Sequence, residues 1–358
     1  MVEKAASRAL AQGLLAQFEG AGAQLVEADI LQPADLLLDL YGEDIRARAY
    51  TTSDPLRGEQ MLRPDFTVPV VQMHMDGGAE PARYAYMGEV FRRQDTDAER
   101  ACEYMQVGYE AFDRDAAAAD AEVFGLFSRV LAPYGLAAVT GDIGLVTAAV
   151  QSLNTSARRK AALMRHVWRP RRFRQLLERY SGALPLSDAR AKLLSSDQPF
   201  KNAGPLIGKR SAAQIEARLD VLRQDAATAP IGAGEVELLN ALLNLRETCP
   251  NALSALRDFA VDFPLLAPAV QQFDARLDAL STAGVGVDDL PFEASFGRTS
   301  MEYYDGFVFG FRSTSRPDLP PIATGGRYDA LTERLGNGRT IPAVGGVIRP
   351  GLLLEVAQ

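Results

Sequence analysis

"ARYAYMGEVFRRQDTDAERACEYMQVGYEAFD", residues 82–113, is the stretch from which the fold is read. Both flanks alternate aromatic or apolar residues with others at period two, the spacing at which a strand sends successive side chains to opposite faces. The segment between them, Arg93 to Cys102, is polar and rich in charge. The stretch predicts an antiparallel hairpin with a long tip. In its second strand Gln106, Gly108 and Glu110 stand at i, i+2 and i+4 and share one sheet face. An amide and a carboxylate on either side of a bare glycine suit a small polar ligand with two donor groups, and the same spacing equally suits a solvent-facing strand side.

Upstream, "ARAYTTSD" (47–54) and "QMLRPDFTV" (60–68) read as two strands joined by a turn, and "VPVVQMHMD" (68–76) as a short helix. Pro64 favours extended backbone at Arg63, so Asp65 and Thr67 are expected on one side of a strand. A carboxylate and a hydroxyl so placed can hold an ammonium group, or simply end a strand. The N-terminal residues predict a helix with Ala9, Leu10, Leu14 and Phe18 along one side. They contain no long apolar run, so neither a signal peptide nor a spanning helix is expected.

Downstream, "DAAAADAEVFGLFSRVLAPYG" (115–135) predicts a helix capped by Asp115 and stopped at Pro133-Tyr134-Gly135, followed by a strand at 136–143. From 146 to 280 the chain is rich in Ala, Leu and Arg with Pro and Gly breaks, which predicts a helical insertion. Its basic start, "ARRKAALMRHVWRPRRFRQLLERY" (157–180), reads as a solvated helix face or as a dock for an acidic partner or RNA. After residue 284 strand patterns return. "MEYYDGFVFGFRS" (301–313) is expected to send Tyr303 and Tyr304 to opposite faces. "TGGRYDAL" (324–331) reads as a loop entering a helix: Gly325 and Gly326 permit close backbone approach to a ligand, Tyr328 forms a wall, and Asp329 caps the helix.

Composition narrows the classes. Hydrophobic residues make up 47% of the 358 and charged residues 23%, ordinary for a chain with a real core. A net charge of −8 argues against a general nucleic-acid binder. The two cysteines, Cys102 and Cys249, form neither a metal spacing nor a disulfide framework, which fits a reducing cytoplasm. With only His74 and His166, a histidine-based metal site is not expected, and "GVGVDD" (284–289) lacks the glycines of a dinucleotide fingerprint.

Taken in order, "LRPDFT" (62–67), "YMGEVFRR" (86–93), "YMQVGYEAF" (104–112), "MEYYDG" (301–306) and "TGGRYDAL" resemble the catalytic core of the class II histidyl-tRNA synthetases. Residues 34–54 are similar to the region around the family's motif 1, and "MGEVFRR" resembles the start of motif 2. The resemblance covers most of 1–145 and 284–354. It implies an α+β fold: a mostly antiparallel sheet flanked by helices, with core residues 1–145 and 281–358, a helical insertion at 146–280, and no anticodon-binding domain.

The chain departs from an aminoacylating member at several points. The arginine opening the family's first histidine signature falls at Thr299, with Arg298 one step away. A one-residue slip on a strand changes faces. Motif 3's arginine falls at Leu352, with Arg349 earlier and Pro350 breaking the register, and the glutamate after motif 2's arginine falls at Gln94. Losing one fixed cation at the activation step costs ~3–4 kcal/mol by analogy with a lost oxyanion donor.

The resemblance therefore points to the synthetase-like paralogues that serve as regulatory subunits of ATP phosphoribosyltransferase. It implies no catalytic residue, cofactor or metal in this chain. It implies partnership with a short-form catalytic subunit, L-histidine as feedback effector, and self-association as a dimer through the motif 1 region. The implied histidine site has Glu110 accepting from the imidazole and Tyr304 and Tyr328 walling it. Asp65, Thr67 and Gln106 hold the ammonium, Gly108, Gly325 and Gly326 give close approach, and Arg327 orders its loop or reaches the carboxylate. The alternatives are a divergent histidine-activating enzyme and an RNA-binding relative.

Overall fold

The computed structural model describes residues 4–35, 37, 49–94, 101–201, 204–205, 207–299 and 303–357. The expected hairpin is its centre. β5 (Ala82–Phe91) and β6 (Glu103–Phe112) pair antiparallel over their whole length, from Ala82↔Phe112 to Phe91↔Glu103. The tip residues 95–100 lie outside the described residues, as does most of the motif 1 region.

Seven more strands complete the sheet. They are β1 (Gln24–Leu25), β7 (Ala137–Asp142), β8 (Arg246–Thr248), β9 (Pro291–Glu293), β10 (Phe307–Arg312), β11 (Ala323–Arg327) and β12 (Ala343–Ile348). The order is β1-β5-β6-β12-β11-β10-β7-β9-β8, antiparallel except where β1 meets β5 and β7 meets β9. A small second sheet joins β2 (Leu31–Pro33), β4 (Gly58–Leu62) and β3 (Thr51–Asp54). The α+β class and the mostly antiparallel sheet agree with expectation.

Residue parity assigns the faces. Phe307, Phe309 and Phe311 on β10 point to one face, where they meet Phe124 of helix α3 (Ala116–Leu131). Phe18 of helix α1 (Lys4–Gly20) packs there against Tyr109 and Phe127. Burial of these rings is the main stabilising force on that side. Asp115 caps α3 by accepting from Ala118 N at 3.1 Å, and Gly135 ends the following turn with a positive φ of 59°. The other face carries the even-numbered residues of β6 and β10 and the odd-numbered residues of β12.

Several local expectations change. The buried stripe of α1 is Ser7, Ala11, Leu14, Leu15 and Phe18, while Ala9 is exposed. β4 ends at Leu62, so Asp65 sits in a loop and Thr67 is the first residue of helix α2 (Thr67–Met75). Gly325 and Gly326 are strand residues in β11, deep in the sheet. A Cβ on Gly325 would overlap the Phe309 ring, and one on Gly326 would lie 2.8 Å from Phe307 O. The close approach they allow is to neighbouring strands.

Tyr303 and Tyr304 precede β10 and enter one ring cluster together, 5.0 Å apart, instead of parting to two faces. Helix α12 (Asp329–Leu335) is held at its start by Asp305, which accepts from Asp329 N at 3.1 Å and Ala330 N at 2.5 Å. Asp329 instead accepts from Ala343 N and Arg327.

Between 143 and 282 the described residues form helices joined by turns and loops, with the short strand β8 extending the central sheet at its edge. Helix α11 (Ala267–Thr282) lies along α3 and sends Arg276 into the core. Among the described residues, no helix is long and apolar enough to cross a membrane.

Candidate functional site

Glu110 lies in the middle of the sheet, fully buried, on the face opposite the phenylalanines. Its cross-strand neighbour on β12 is Gly345, where a Cβ would overlap the carboxylate. Three hydroxyls donate to it. Thr67 Oγ1 and Tyr86 Oη reach Oε1 at 2.9 and 2.8 Å, and Tyr328 Oη reaches Oε2 at 2.5 Å. Among the described residues no basic side chain pairs with it. Burial raises its pKa to about 7 against the pull of the three hydroxyls, and the nearby Asp65 pushes the same way as burial. A carboxylate accepts at about four lone-pair positions, so one remains on Oε2.

Around Glu110 stand Asp65, Tyr303 and Tyr304. Asp65 is buried, and its charge is felt by Glu110, Tyr86, Tyr303 and Tyr304 alike. Tyr303 is hydrogen-bonded to Thr67, and its ring meets Tyr328 edge-on at 6.1 Å. Gln106, two register steps from Glu110 on the same face, is fully buried, and among the described residues neither its Oε1 nor its Nε2 has a hydrogen-bond partner. A buried amide left so costs about 1–3 kcal/mol for each unsatisfied group. A ligand offering one donor and one acceptor would recover that cost.

The structure thus gathers Asp65, Thr67, Glu110, Tyr304 and Tyr328, with Gln106 on the adjoining register positions. Gly108 plays a different part from the one expected. A Cβ there would overlap Tyr86, so its space is filled by the ring whose hydroxyl reaches Glu110. Arg327 is not in the site. It projects to the other face, where it pairs with Asp120 at 2.7 Å and Asp329 at 3.0 Å and donates to Ala116 O. Of its two expected roles, reaching a ligand carboxylate is excluded by that side of the strand.

Sequence reasoning missed Tyr86, Gly345 and Tyr303. Tyr86 stands directly opposite Gly108 in the hairpin ladder, a signal open to parity once the register is known. It also missed Arg349, which follows β12 on the site face. Arg349 Nη1 donates to Pro321 O at 2.7 Å and Nη2 to Thr324 Oγ1 at 3.4 Å.

The positions that depart from aminoacylating synthetases are also placed. Thr299 is exposed. Arg298 is buried but turns into the helical segment, donating from Nε to Val167 O at 2.8 Å and stacking over Phe173. Leu352 lies in helix α13 (Pro350–Val356). The basic stretch forms helices α5 (Ala157–Met164) and α6 (Pro170–Tyr180), with Arg159 folded inward onto Asp225 and Arg171, Arg172 and Arg174 exposed.

The histidyl-tRNA synthetase family model matches residues 2–201 and 208–350. A protein of Brucella anthropi described as an ATP phosphoribosyltransferase regulatory subunit is 34% identical over 345 residues, covering 90% of each chain. A Brucella canis protein of the same description is 33% identical over the same shares. A solved structure from Bacillus halodurans, described as an ATP phosphoribosyltransferase regulatory subunit/histidyl-tRNA synthetase, superposes with a TM-score of 0.69 at 20% identity. That superposition covers 98% of this chain and 78% of that one.

Proposed function

The chain belongs to the histidyl-tRNA synthetase family and, within it, to the ATP phosphoribosyltransferase regulatory subunits; on that premise we propose that it senses L-histidine for a separate catalytic subunit and catalyses nothing itself. It is the regulatory component of the first step of histidine biosynthesis. One observation carries the sensing role: Glu110 is fully buried, held by three hydroxyls, and has no basic partner among the described residues. Such a carboxylate fits a ligand that brings its own N–H or positive charge. An imidazole N–H at the remaining position on Glu110 Oε2, between Tyr304 and Tyr328, meets that need. Asp65 and Thr67 take the α-ammonium group, and Gln106 lines the way to the carboxyl end.

The non-catalytic reading follows from Thr299 and Leu352. Neither can supply a cation to developing phosphate charge, and Arg298 is committed to Val167. No histidine-dependent ATP–pyrophosphate exchange is expected. The chain acts in the cytoplasm in this reading, with residues 1–145 and 281–358 as the ligand-holding core and 146–280 as a helical insertion. It self-associates through the motif 1 side of the core. In support, Leu25, Ile30, Leu31, Tyr50 and Leu56 are exposed large hydrophobic residues clustered in sequence around β1 to β4.

Feedback requires histidine to bind the active and inhibited assemblies with different affinity. The test is to mix this chain with a short-form catalytic subunit and measure phosphoribosyl transfer with and without L-histidine. Activity that depends on this chain and falls with histidine is the expected result. Inhibition that persists unchanged with Glu110→Ala would remove this site from the mechanism.

A further inference from the structure

The charge at the opposite end of the slot is positive. β12 runs antiparallel to β6 with Val347 opposite Gly108 and Ile348 opposite Val107, so Arg349 falls beside Gln106 one register step further. The backbone stays extended at Arg349, with φ −106° and ψ 93°, so its side chain shares the face of Gly345 and Val347. Thr324, which accepts from it, and Tyr104, which hydrogen-bonds it, lie on that face too. Gln106 and Glu110 stand four positions apart along β6, about 13 Å between their backbones. The Tyr86 ring covers Gly108 between them, so an amino acid joining the two side chains would lie over that ring.

Among the described residues, the hydrogen-bond partners of the Arg349 guanidinium are neutral: Pro321 O, Thr324 Oγ1 and Tyr104. Its charged neighbour is a second cation, Arg92, and no carboxylate pairs with Arg349 among the described residues. Burial holds its pKa below the ordinary arginine value, and the charge of Arg92 acts in the same direction. Tyr304 lies within electrostatic reach of both ends: the charge of Glu110 raises its pKa and that of Arg349 lowers it.

We propose that Arg349, beside the unpartnered amide of Gln106, anchors the α-carboxylate of the amino acid whose imidazole meets Glu110. It thereby takes over the task that Thr299 cannot perform. The assignment rests on the histidine-site reading above. It makes the slot selective for an amino acid over the corresponding amine, because histamine lacks the group that Arg349 binds. Gln106 Nε2 donates to the same carboxylate, and its Oε1 accepts from the ammonium group.

Calorimetry with the full chain, alone and with its catalytic subunit, separates the two readings. The probes are L-histidine and histamine, and the proteins are wild type, Arg349→Met and Arg349→Lys. Arg349→Met keeps the aliphatic stem and removes the charge. It is expected to weaken L-histidine about 10- to 100-fold, the range of a lost charged hydrogen bond, and to leave histamine unchanged. Arg349→Lys should restore part of the difference, and its folding guards against loss of structure in the methionine variant. Wild type should bind L-histidine more tightly than histamine by a similar factor. An L-histidine to histamine ratio that survives Arg349→Met overturns the carboxylate assignment while sparing the histidine site. Failure of wild type to bind L-histidine in either state overturns both. Binding of ATP that Arg349→Met abolishes and L-histidine does not displace would assign Arg349 to phosphate and overturn the proposal as well.

Discussion

On one face of the sheet Arg327, Asp120, Arg276 and Asp142 form a buried run of alternating charge, with every link between 2.7 and 2.8 Å. On the other face Glu110 is just as deeply buried and, among the described residues, is hydrogen-bonded only by hydroxyls. The first cluster is complete within the chain. It ties β11 to α3, to α11 and to the end of β7, and it satisfies its charges internally. The second is incomplete, and it has an unpartnered amide and an arginine without a carboxylate on the same face. Burial alone therefore does not tell the two clusters apart. The presence of an internal counter-charge does.

The contrast can be broken most forcefully at Asp120. Asp120→Ala leaves two buried guanidiniums facing each other, and removing one member of a buried pair costs about 3–5 kcal/mol. Chemical denaturation should report a loss of that order. A loss below about 1 kcal/mol would mean that the run is not the fastening described here.

Glu110 should behave in the opposite sense. Its folded pKa is about 7, above the ordinary 4.5, so the folded chain binds the proton more tightly than the unfolded chain. The associated stability is fully present below about pH 4.5 and is lost as pH rises through 7, roughly 3 kcal/mol in all. Asp305, also raised to about 7 by burial, adds a slope of the same sign. Glu110→Gln should remove the Glu110 part of that slope, leaving the variant as stable as wild type or more so at pH 8. A uniform loss at all pH values, like that of Asp120→Ala, would erase the distinction between the faces.

Gly345→Ala sharpens the comparison. The added methyl overlaps the Glu110 carboxylate, so a cost of about 1–3 kcal/mol is expected together with loss of L-histidine binding in calorimetry. Thr67→Val removes one hydroxyl from Glu110 and should cost about 1 kcal/mol, with a further rise in the Glu110 pKa visible in the pH profile of stability.

Local physics was legible in the sequence. The hairpin, the Asp115 cap, the Pro133–Gly135 stop and the face shared by Gln106, Gly108 and Glu110 all follow from spacing and capping chemistry within a few residues. Long-range partners were not. Arg276 and Asp120 are far apart along the chain, and nothing in the neighbourhood of either names the other. Arg327 drew attention because it follows Gly325 and Gly326. Those glycines answer to Phe309 and Tyr304 in other segments, and once β11 is a strand, parity sends Arg327 away from the slot. Asp305 was passed over as a cap because the helix it holds begins at Asp329, beyond an intervening hairpin of strands. Arg349 was visible as a displaced arginine, but its face depended on extended backbone continuing past β12.

The reach of Arg298 into the helical segment has a mechanical side. Its guanidinium is fastened to Val167 in the turn between α5 and α6, while its backbone lies in the turn that follows β9. β8 stitches the same segment to the sheet margin at β9. A partner that tilted α6 would pull, through that one side chain, on the turn after β9, like a cord tied to the margin of the sheet.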